Sequence, residues 1–205
     1  MQQNNDGPRG SASRDRLLET ARRLFTRHGA SNVGINDVTA AAGVARMTLY
    51  NNFPSKDALT AAVYEEMARA ALQALNGMKT AGRTDEENIL AIFDHFDRSE
   101  QEADYRGCPF IHASLQVGDV SGPIHAIVQS YKRALREHII QVLDKGRKNR
   151  GELADQIVLL LDGAVTEAYL KGVADPVAVA KRAAATLLLS AVPALSARTR
   201  RTSSR

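Results

Sequence analysis

Residues 35–54 read INDVTAAAGVARMTLYNNFP, and this stretch decides the fold. Its pattern predicts two short helices, at about residues 36–42 and 46–52, joined by a tight turn at Gly43. Glycine suits such a corner because it adopts a positive φ without a Cβ clash. The alanines that precede it allow the two helices to cross closely. Together these features predict a helix-turn-helix.

The second of these helices is predicted to leave one face free. Val38, Val44 and Leu49 are apolar and are expected to hold the pair against the preceding helix. The side chains that then face outward and can reach base edges and phosphates are Arg46, Met47, Thr48, Tyr50 and Asn51. A short Ala-Gly-Val turn is by itself equally compatible with a helical hairpin that binds nothing, so both interpretations stay open at this point.

The rest of the chain is predicted to be all-α, with about nine helices in total. Apolar residues recur at helical spacing from about Arg14 to His28, and Gly29 ends that first helix. The strand-like alternation of apolar and polar residues is absent. The further helices are predicted at about residues 56–78, 85–103, 109–117, 123–149, 152–171 and 176–192.

These helices are predicted to form two domains between two tails. Residues 13–60 form a three-helix helix-turn-helix domain, and residues 61–195 form a larger all-helical domain. Residues 1–12 and 196–205 are rich in small and polar residues, which predicts disorder. The second tail also carries four arginines and no acidic residue, so it is basic.

Composition limits the classes of protein to consider. With 205 residues, 44% hydrophobic and 24% charged, the chain is globular and long enough to bury a core. Its single cysteine excludes an internal disulfide framework, and no apolar stretch fits a secretory signal or a membrane span. We therefore expect a cytoplasmic protein with no membrane partner. The net charge of +4 is concentrated at the two ends, which suggests a polyanionic partner.

Several short motifs follow one another along the first part of the chain. They are Leu17-Leu18, Leu24-Phe25 with Gly29, Ala42-Gly43-Val44, Thr48-Leu49-Tyr50, Phe53, and Ser55-Lys56 with Leu59. In this combination, the segment from Arg14 to about Val63 resembles the DNA-binding domain of TetR-family transcriptional regulators. The resemblance implies a homodimeric repressor that binds a palindromic operator in double-stranded DNA and is released by a small-molecule effector.

The resemblance also implies roles for individual residues. The helix Ala45–Asn51 matches the helix that family members place in the major groove. The positions that match base-contacting residues are Asn36, Arg46 and Met47. Those that match phosphate-contacting residues are Thr48, Tyr50 and Lys56. Gly34 and Ala45 stand where many relatives carry a hydroxyl side chain, so two possible phosphate contacts are missing.

An apolar cavity in the larger domain is the expected site for the effector. Its candidate lining comes from facing helices and consists of Phe93, Phe96, Cys108, Ile111, His112, Leu115, Tyr131, Leu135 and Thr166. Plain core packing is the alternative for each of these residues.

Cys108 carries a separate hypothesis. It precedes Pro109 at a predicted helix start, with Arg106 nearby and His112 one turn along. The helix dipole is expected to lower the pKa of its thiol, which would suit a sensor of electrophiles or oxidants. The alternative is an inert, buried thiol.

The last two predicted helices are candidates for a subunit interface, because one is apolar on several faces and the other is rich in small residues. The residues assigned to this interface are Val158, Leu159, Val165, Tyr169, Ala184, Leu188 and Ala191. An ordinary intramolecular core is the alternative.

The sequence contains no recognisable metal site, phosphate loop or catalytic motif. The chain is therefore expected to need no cofactor and not to be an enzyme. Two other functions stay open. One is a helical interaction module without DNA binding, and the other is an enzyme that uses Cys108 and His112 as a nucleophile–base pair.

Overall fold

The computed structural model describes residues 8–100, 106–117 and 119–190. All regular structure in these residues is helical, which confirms the predicted all-α fold with an amino-terminal helix-turn-helix. A short 3-10 turn, Ala30–Asn32, adds to the predicted elements. No helix within the described ranges is long and apolar enough to cross a membrane. The bounds are α1 Pro8–His28, α2 Ile35–Ala42, α3 Arg46–Asn52, α4 Lys56–Met78, α5 Asp85–Glu100, α6 Pro109–Val117, α7 Pro123–Val142, α8 Arg150–Leu170 and α9 Pro176–Ser190.

The first three helices pack around a small core. Leu17, Ala21 and Phe25 lie on the inner face of α1 and are buried. Val38 of α2 and Leu49 of α3 pack into the same cluster, as the sequence predicts. Helices as short as α2 and α3 are unstable alone in water, so this packing is what holds them.

α4 joins the first three helices to the rest of the molecule. The Ser55 hydroxyl oxygen accepts a hydrogen bond from the backbone N–H of Ala58 (3.0 Å) and so caps the helix, as predicted. The helix then runs unbroken from Lys56 to Met78. The predicted division of the chain after residue 60 therefore falls inside a helix and not in a linker.

A series of aromatic rings continues the core from α4 to α7. The ring centroids of Tyr64 and Phe110 lie 6.3 Å apart, and those of Phe110 and Tyr131 lie 4.1 Å apart in a stacked pair. All three side chains are buried in the cluster that contains the inner face of α1. The helix-turn-helix and the larger helical body therefore share this core.

A second core cluster lies between α5, α7, α8 and α9. Phe93, Ile139 and Ile157 are fully buried there. Ala154 of α8 and Ala184 of α9 are also fully buried. Their small side chains allow the last two helices to approach closely.

Two helix ends differ from the sequence prediction. α1 begins at Pro8, inside the predicted tail of residues 1–12, and proline suits the first turn of a helix. α7 ends at Val142 and not near Asn149, since the backbone turns extended at Leu143, and Arg147 lies in the turn that follows. The rest of both predicted tails, and the predicted ends of α5 and α9, lie outside the described residues.

Arg147 and Asp85 form a partly buried ion pair that closes the turn between α7 and α8. Their side chains are 8% and 14% exposed. The guanidinium donates to both carboxylate oxygens of Asp85 and to the backbone carbonyl of Leu188 in α9. The backbone N–H of Asp144 donates to the same carboxylate (3.0 Å). The hydrogen bonds from Arg147 hold the pKa of the Asp85 carboxyl below its usual range.

Asp85→Asn should lower the free energy of unfolding by about 2 kcal/mol, because it removes the countercharge of a partly buried guanidinium. Urea denaturation measures this loss. The carboxylate stabilises the fold above its unfolded-state pKa of about 4, and that contribution disappears as the pH falls through the lower folded-state pKa. The difference between wild type and variant should therefore be constant near neutral pH and shrink below about pH 4.

Glu65→Gln is the matched control, since Glu65 is exposed on α4. It should change the free energy of unfolding by less than about 0.5 kcal/mol. Equal destabilisation by the two substitutions would contradict the role given to the ion pair.

Candidate nucleic-acid interface and internal cavity

The corner between α2 and α3 has the geometry that the sequence predicts. Gly43 has a φ of 63°, in the left-handed region that glycine tolerates best. Its backbone N–H and that of Val44 donate to the carbonyls of Ala40 (3.2 Å) and Thr39 (3.1 Å). These two hydrogen bonds end α2 and set the direction in which α3 leaves the corner.

The residues just before α2 and α3 have no capping side chain. Gly34 precedes α2, and its backbone N–H donates to the Asp37 carboxylate at 2.7 Å. Ala45 precedes α3 and likewise makes no side-chain cap. Neither position offers a hydroxyl, so a phosphate contact at either one has to come from the backbone.

α3 buries one side and exposes the other. Leu49 is fully buried, whereas Met47 is 69% exposed and Tyr50 is 38% exposed. Arg46 and Asn51 are also exposed, and Thr48 is half-buried. The predicted outward orientation of this helix is confirmed, while the contacts of these side chains with DNA stay a prediction.

Arg46 is held over the ring of Tyr50, one turn further along α3. Its guanidinium carbon lies 5.5 Å from the ring centroid, and Nη2 donates to the Tyr50 hydroxyl oxygen at 3.3 Å. A cation over an aromatic face is attracted by the ring quadrupole. Tyr50 therefore restricts the directions in which Arg46 can point.

Three further polar residues flank α3. Asn36 is exposed on α2, and Lys56 begins α4, where its Nζ donates to the carbonyl of Ser31 (3.4 Å). Arg14 of α1 lies over the ring of Phe53, with its guanidinium carbon 5.2 Å from the centroid. Arg14 could not be assigned to this surface from the sequence, because only the packing of α1 places it beside the end of α3.

A cavity of about 400 Å³ lies between α1, α4, α5, the start of α6, α7 and α8. Its apolar lining includes Met67, Ala71, Leu75, Phe96, Phe110 and Val165. Its polar lining consists of Arg22, Glu66, His95, Cys108 and Tyr131. A mostly apolar cavity with a few polar groups is typical of a small-molecule site.

Three of the nine predicted effector-binding residues line this cavity, namely Phe96, Cys108 and Tyr131. Phe93 and Leu135 are instead buried in the second core cluster. Leu115 is 76% exposed, and Thr166 is exposed with its hydroxyl donating to the carbonyl of Asp162 (2.8 Å). Ile111 and His112 also lie outside the lining. These six residues do not line this cavity, and their assignment to an effector site stays a prediction.

The residues that α1 and α4 contribute to the cavity lining were not predicted from the sequence. Arg22 belongs to α1, and Met67, Ala71 and Leu75 belong to α4. No sequence signal marked them, because their spacing matches that of ordinary surface and core positions. Their presence brings the cavity next to the helix-turn-helix core.

The thiol of Cys108 is not activated. Burial raises its pKa, and this effect outweighs the opposing influence of Lys132 and of the backbone N–H groups of Phe110 and Ile111. Lys132 is itself paired with Asp162, which weakens its influence on the thiol. The expectation of a lowered pKa is therefore wrong.

The proposed nucleophile–base pair of Cys108 and His112 gains no support from this geometry. The His112 ring packs edge-on against Tyr169, with ring centroids 5.0 Å apart. Within the described residues, no group of His, Cys, Asp and Glu could hold a metal ion.

The residues predicted for a subunit interface fall into two groups. Leu159 and Tyr169 are exposed on α8, at 71% and 39%, and Val158 is half-buried. The interior members are Val165, Ala184 and Leu188, which are at most 4% exposed within one chain. Ala191 lies outside the described residues.

These interior members are buried within their own chain, so their place in a subunit interface stays a prediction that the single chain does not support. Ala184 and Leu188 pack in the second core cluster. Three further apolar residues on the same two helices are exposed but were not predicted to lie in an interface. They are Leu170, Val179 and Leu189, which are 62%, 44% and 65% exposed. We call Leu159, Leu170, Val179 and Leu189 the α8–α9 face.

Known proteins resemble this chain both in its first helices and over most of its length. Residues 17–63 match the family model of the tetR family of bacterial regulatory proteins. Over 56 residues the chain is 46% identical to an uncharacterized HTH-type transcriptional regulator of Mycobacterium tuberculosis. This matching segment covers 27% of this chain and 28% of that relative. Over 139 residues it is 26% identical to the HTH-type transcriptional repressor NemR of Escherichia coli, covering 67% of this chain and 70% of NemR.

Solved structures share the whole fold. A TetR-family transcriptional regulator from Streptomyces coelicolor is 27% identical, with a TM-score of 0.72 over 88% of this chain and 94% of that one. The reduced form of Escherichia coli NemR superposes with a TM-score of 0.77 at 22% identity, over 84% of this chain and 95% of NemR. The second similarity is evidence of fold alone.

Iodoacetamide should alkylate Cys108 several-fold more slowly than a free cysteine at pH 8, because the thiolate is the reacting form and burial disfavours it. Mass spectrometry measures the rate cleanly, since the chain has one cysteine. The midpoint of the rate against pH should lie above that of free cysteine. The urea-unfolded protein is the control and should react like free cysteine. A rate that already saturates below pH 8 in the folded protein would show an activated thiol.

Proposed function

We propose that this chain, whose residues 17–63 match the tetR family of bacterial regulatory proteins, is a homodimeric transcriptional repressor of the cytoplasm. It binds a palindromic operator and leaves it when a small molecule binds. The observation that carries this proposal is the shape of α3, which is anchored by buried Leu49 and exposes Arg46 and Met47. NemR, to which the chain is similar, is itself an HTH-type transcriptional repressor.

Base recognition is assigned to the exposed side of α3. Arg46 can donate two hydrogen bonds to O6 and N7 of a guanine in the major groove. Because Arg46 is already hydrogen-bonded to Tyr50, its side chain loses less conformational freedom when it binds DNA. Met47 offers an apolar contact for a thymine methyl group. Asn36 and Asn51 are the amide side chains that can read a neighbouring base.

Phosphate contacts are assigned to residues around α3. Lys56 and Arg14 supply positive charge, and Thr48 supplies a hydroxyl donor. Such contacts position a protein on the duplex but carry no sequence information directly. The Tyr50 hydroxyl oxygen accepts a hydrogen bond from Arg46. In its proposed contact with phosphate, the Tyr50 O–H would therefore act as the donor.

Dimerisation is assigned to the α8–α9 face. One α3 reads one half-site, so a palindrome requires a second copy related by a two-fold axis. The four exposed apolar side chains of that face lie on the last two helices. Burying them against the same surface of a second chain removes apolar area from water.

Effector binding is assigned to the cavity of about 400 Å³. Its lining suits a largely apolar molecule with a small number of polar groups. Arg22 lies on α1, whose inner face holds α2 and α3, so an occupant would contact the helix that supports the reading helix. A ligand that prefers another placement of α1 lowers DNA affinity by shifting the population of states.

Arg46→Ala should cost about 1–3 kcal/mol on the preferred operator and relax the base preference at one position, since it removes a base contact. Lys56→Ala should weaken binding to all sequences alike and reduce the slope of log K against log salt by about one. Fluorescence anisotropy over a range of salt concentrations measures both effects.

Arg83→Ala is the matched control, because Arg83 is an exposed arginine between α4 and α5. It should bind DNA as the wild type does. An equal loss of affinity with Arg83→Ala and Arg46→Ala would contradict the assignment of α3.

Leu159→Glu should weaken dimerisation more than tenfold, because it places a charge in an apolar contact twice per dimer. Sedimentation velocity over a range of protein concentrations measures the shift to monomer. Leu115→Glu is the control, since Leu115 is equally exposed but lies on α6. A dimer that tolerates Leu159→Glu would show that another face forms the interface.

A further inference from the structure

A second cleft, of about 160 Å³, lies between the end of α1 and the start of α6. Residues 25–29 form its wall on the α1 side, and Arg106, His112 and Gln116 form the opposite wall. Tyr64 of α4 and Tyr169 of α8 complete the lining. This cleft is separate from the larger cavity, although residues 107 and 109 contribute to both.

The charged side chains that line the cleft are all basic. Arg106 and Arg27 each carry a positive charge, and His112 and His28 each add an imidazole. Of the residues that the structure describes, none that lines the cleft is acidic. A cleft lined by one sign of charge concentrates counterions of the opposite sign.

Two glycines allow the polar groups of α6 to approach the backbone closely. At Gly29, whose φ is 82°, a Cβ would lie only 2.5 Å from Nε2 of the Gln116 amide. At Gly107, whose φ is 75°, a Cβ would lie 3.3 Å from Nε2 of His112. Any other residue at these positions would therefore be strained in its backbone and would displace the side chain opposite it.

The His112 ring is also held in place from its other side. It packs edge-on against Tyr169, with centroids 5.0 Å apart. Nε2 of His112 thus has a restricted position within the cleft, and both it and the exposed Gln116 amide can donate hydrogen bonds. Groups that are fixed before binding lose little freedom when a ligand arrives.

We propose that this cleft is a binding site for a phosphate-type oxyanion. The Arg106 guanidinium can donate two parallel hydrogen bonds to such an ion, and His112 and Gln116 can donate to its remaining oxygens. The cleft volume of about 160 Å³ admits a small tetrahedral ion. Since one wall is α1 and the other is α6, the bound ion would bridge the helix-turn-helix unit and the helical body.

The test is a titration of the full-length protein with inorganic phosphate in the absence of DNA. Sodium chloride keeps the ionic strength constant, and isothermal titration calorimetry measures binding. The wild type should show saturable binding of one ion per chain. Arg106→Gln should weaken it about tenfold or more, because a charge-assisted pair is lost, and Arg106→Lys should restore part of the affinity.

Arg133→Gln is the matched control, because Arg133 is an exposed arginine on α7 outside the cleft. It should bind phosphate as the wild type does. Equal binding by Arg106→Gln, Arg133→Gln and wild type would overturn the proposal, and so would the absence of saturable binding. Circular dichroism checks folding, and Gln116→Leu provides a second cleft variant that should also weaken binding.

Phenyl phosphate distinguishes the two sources of the oxyanion. If the site takes the free ion, phenyl phosphate should bind much more weakly than inorganic phosphate. If it takes the terminal phosphate of a larger molecule, the two should bind with similar affinity, and both should depend on Arg106. Because no DNA is present, failure of this experiment does not bear on the proposed repressor function.

Discussion

The burial of Leu49 against α1 is the contact on which the rest of the molecule depends. α3 has seven residues, too few for a stable helix in water. Its conformation and orientation therefore come from packing, and the Gly43 corner sets the angle at which it crosses α2. With Leu49 directed inward, the helical period places Met47 and Asn51 on the opposite side of α3, and Arg46 is exposed at the first position of the helix. One apolar contact thus determines which side chains can reach a DNA groove.

The same core extends into the larger helical body, and this is what can couple the two parts. α4 passes from one to the other without a break, and the stacked rings of Phe110 and Tyr131 carry the packing to α7. Tyr131 and Arg22 both line the large cavity. An occupant of that cavity therefore touches the packed side chains that support the reading helix, and no flexible linker separates the proposed sites of effector and DNA.

Features set by neighbouring residues could be predicted from the sequence. The Gly43 corner, the Ser55 cap and the outward face of α3 depend on local geometry, and all three are confirmed. Features set by distant residues could not be predicted from the sequence. Arg147, in the turn after α7, pairs with Asp85, 62 positions away. Leu188 faces its own chain's core, which could not be foreseen because helical spacing shows burial without showing the partner.

The thiol of Cys108 illustrates the same limit in electrostatics. Its place at the start of α6 predicts a lowered pKa, but its burial raises the pKa instead, and burial is a property of the whole fold. The central claim, that two copies of α3 read DNA together, is tested most directly by selecting bound DNA from a random pool with the full-length protein. The enriched sequences should be inverted repeats whose half-sites lie about 10 base pairs apart, or a multiple of that distance. Enrichment of a single asymmetric half-site, or of no sequence at all, would contradict the claim.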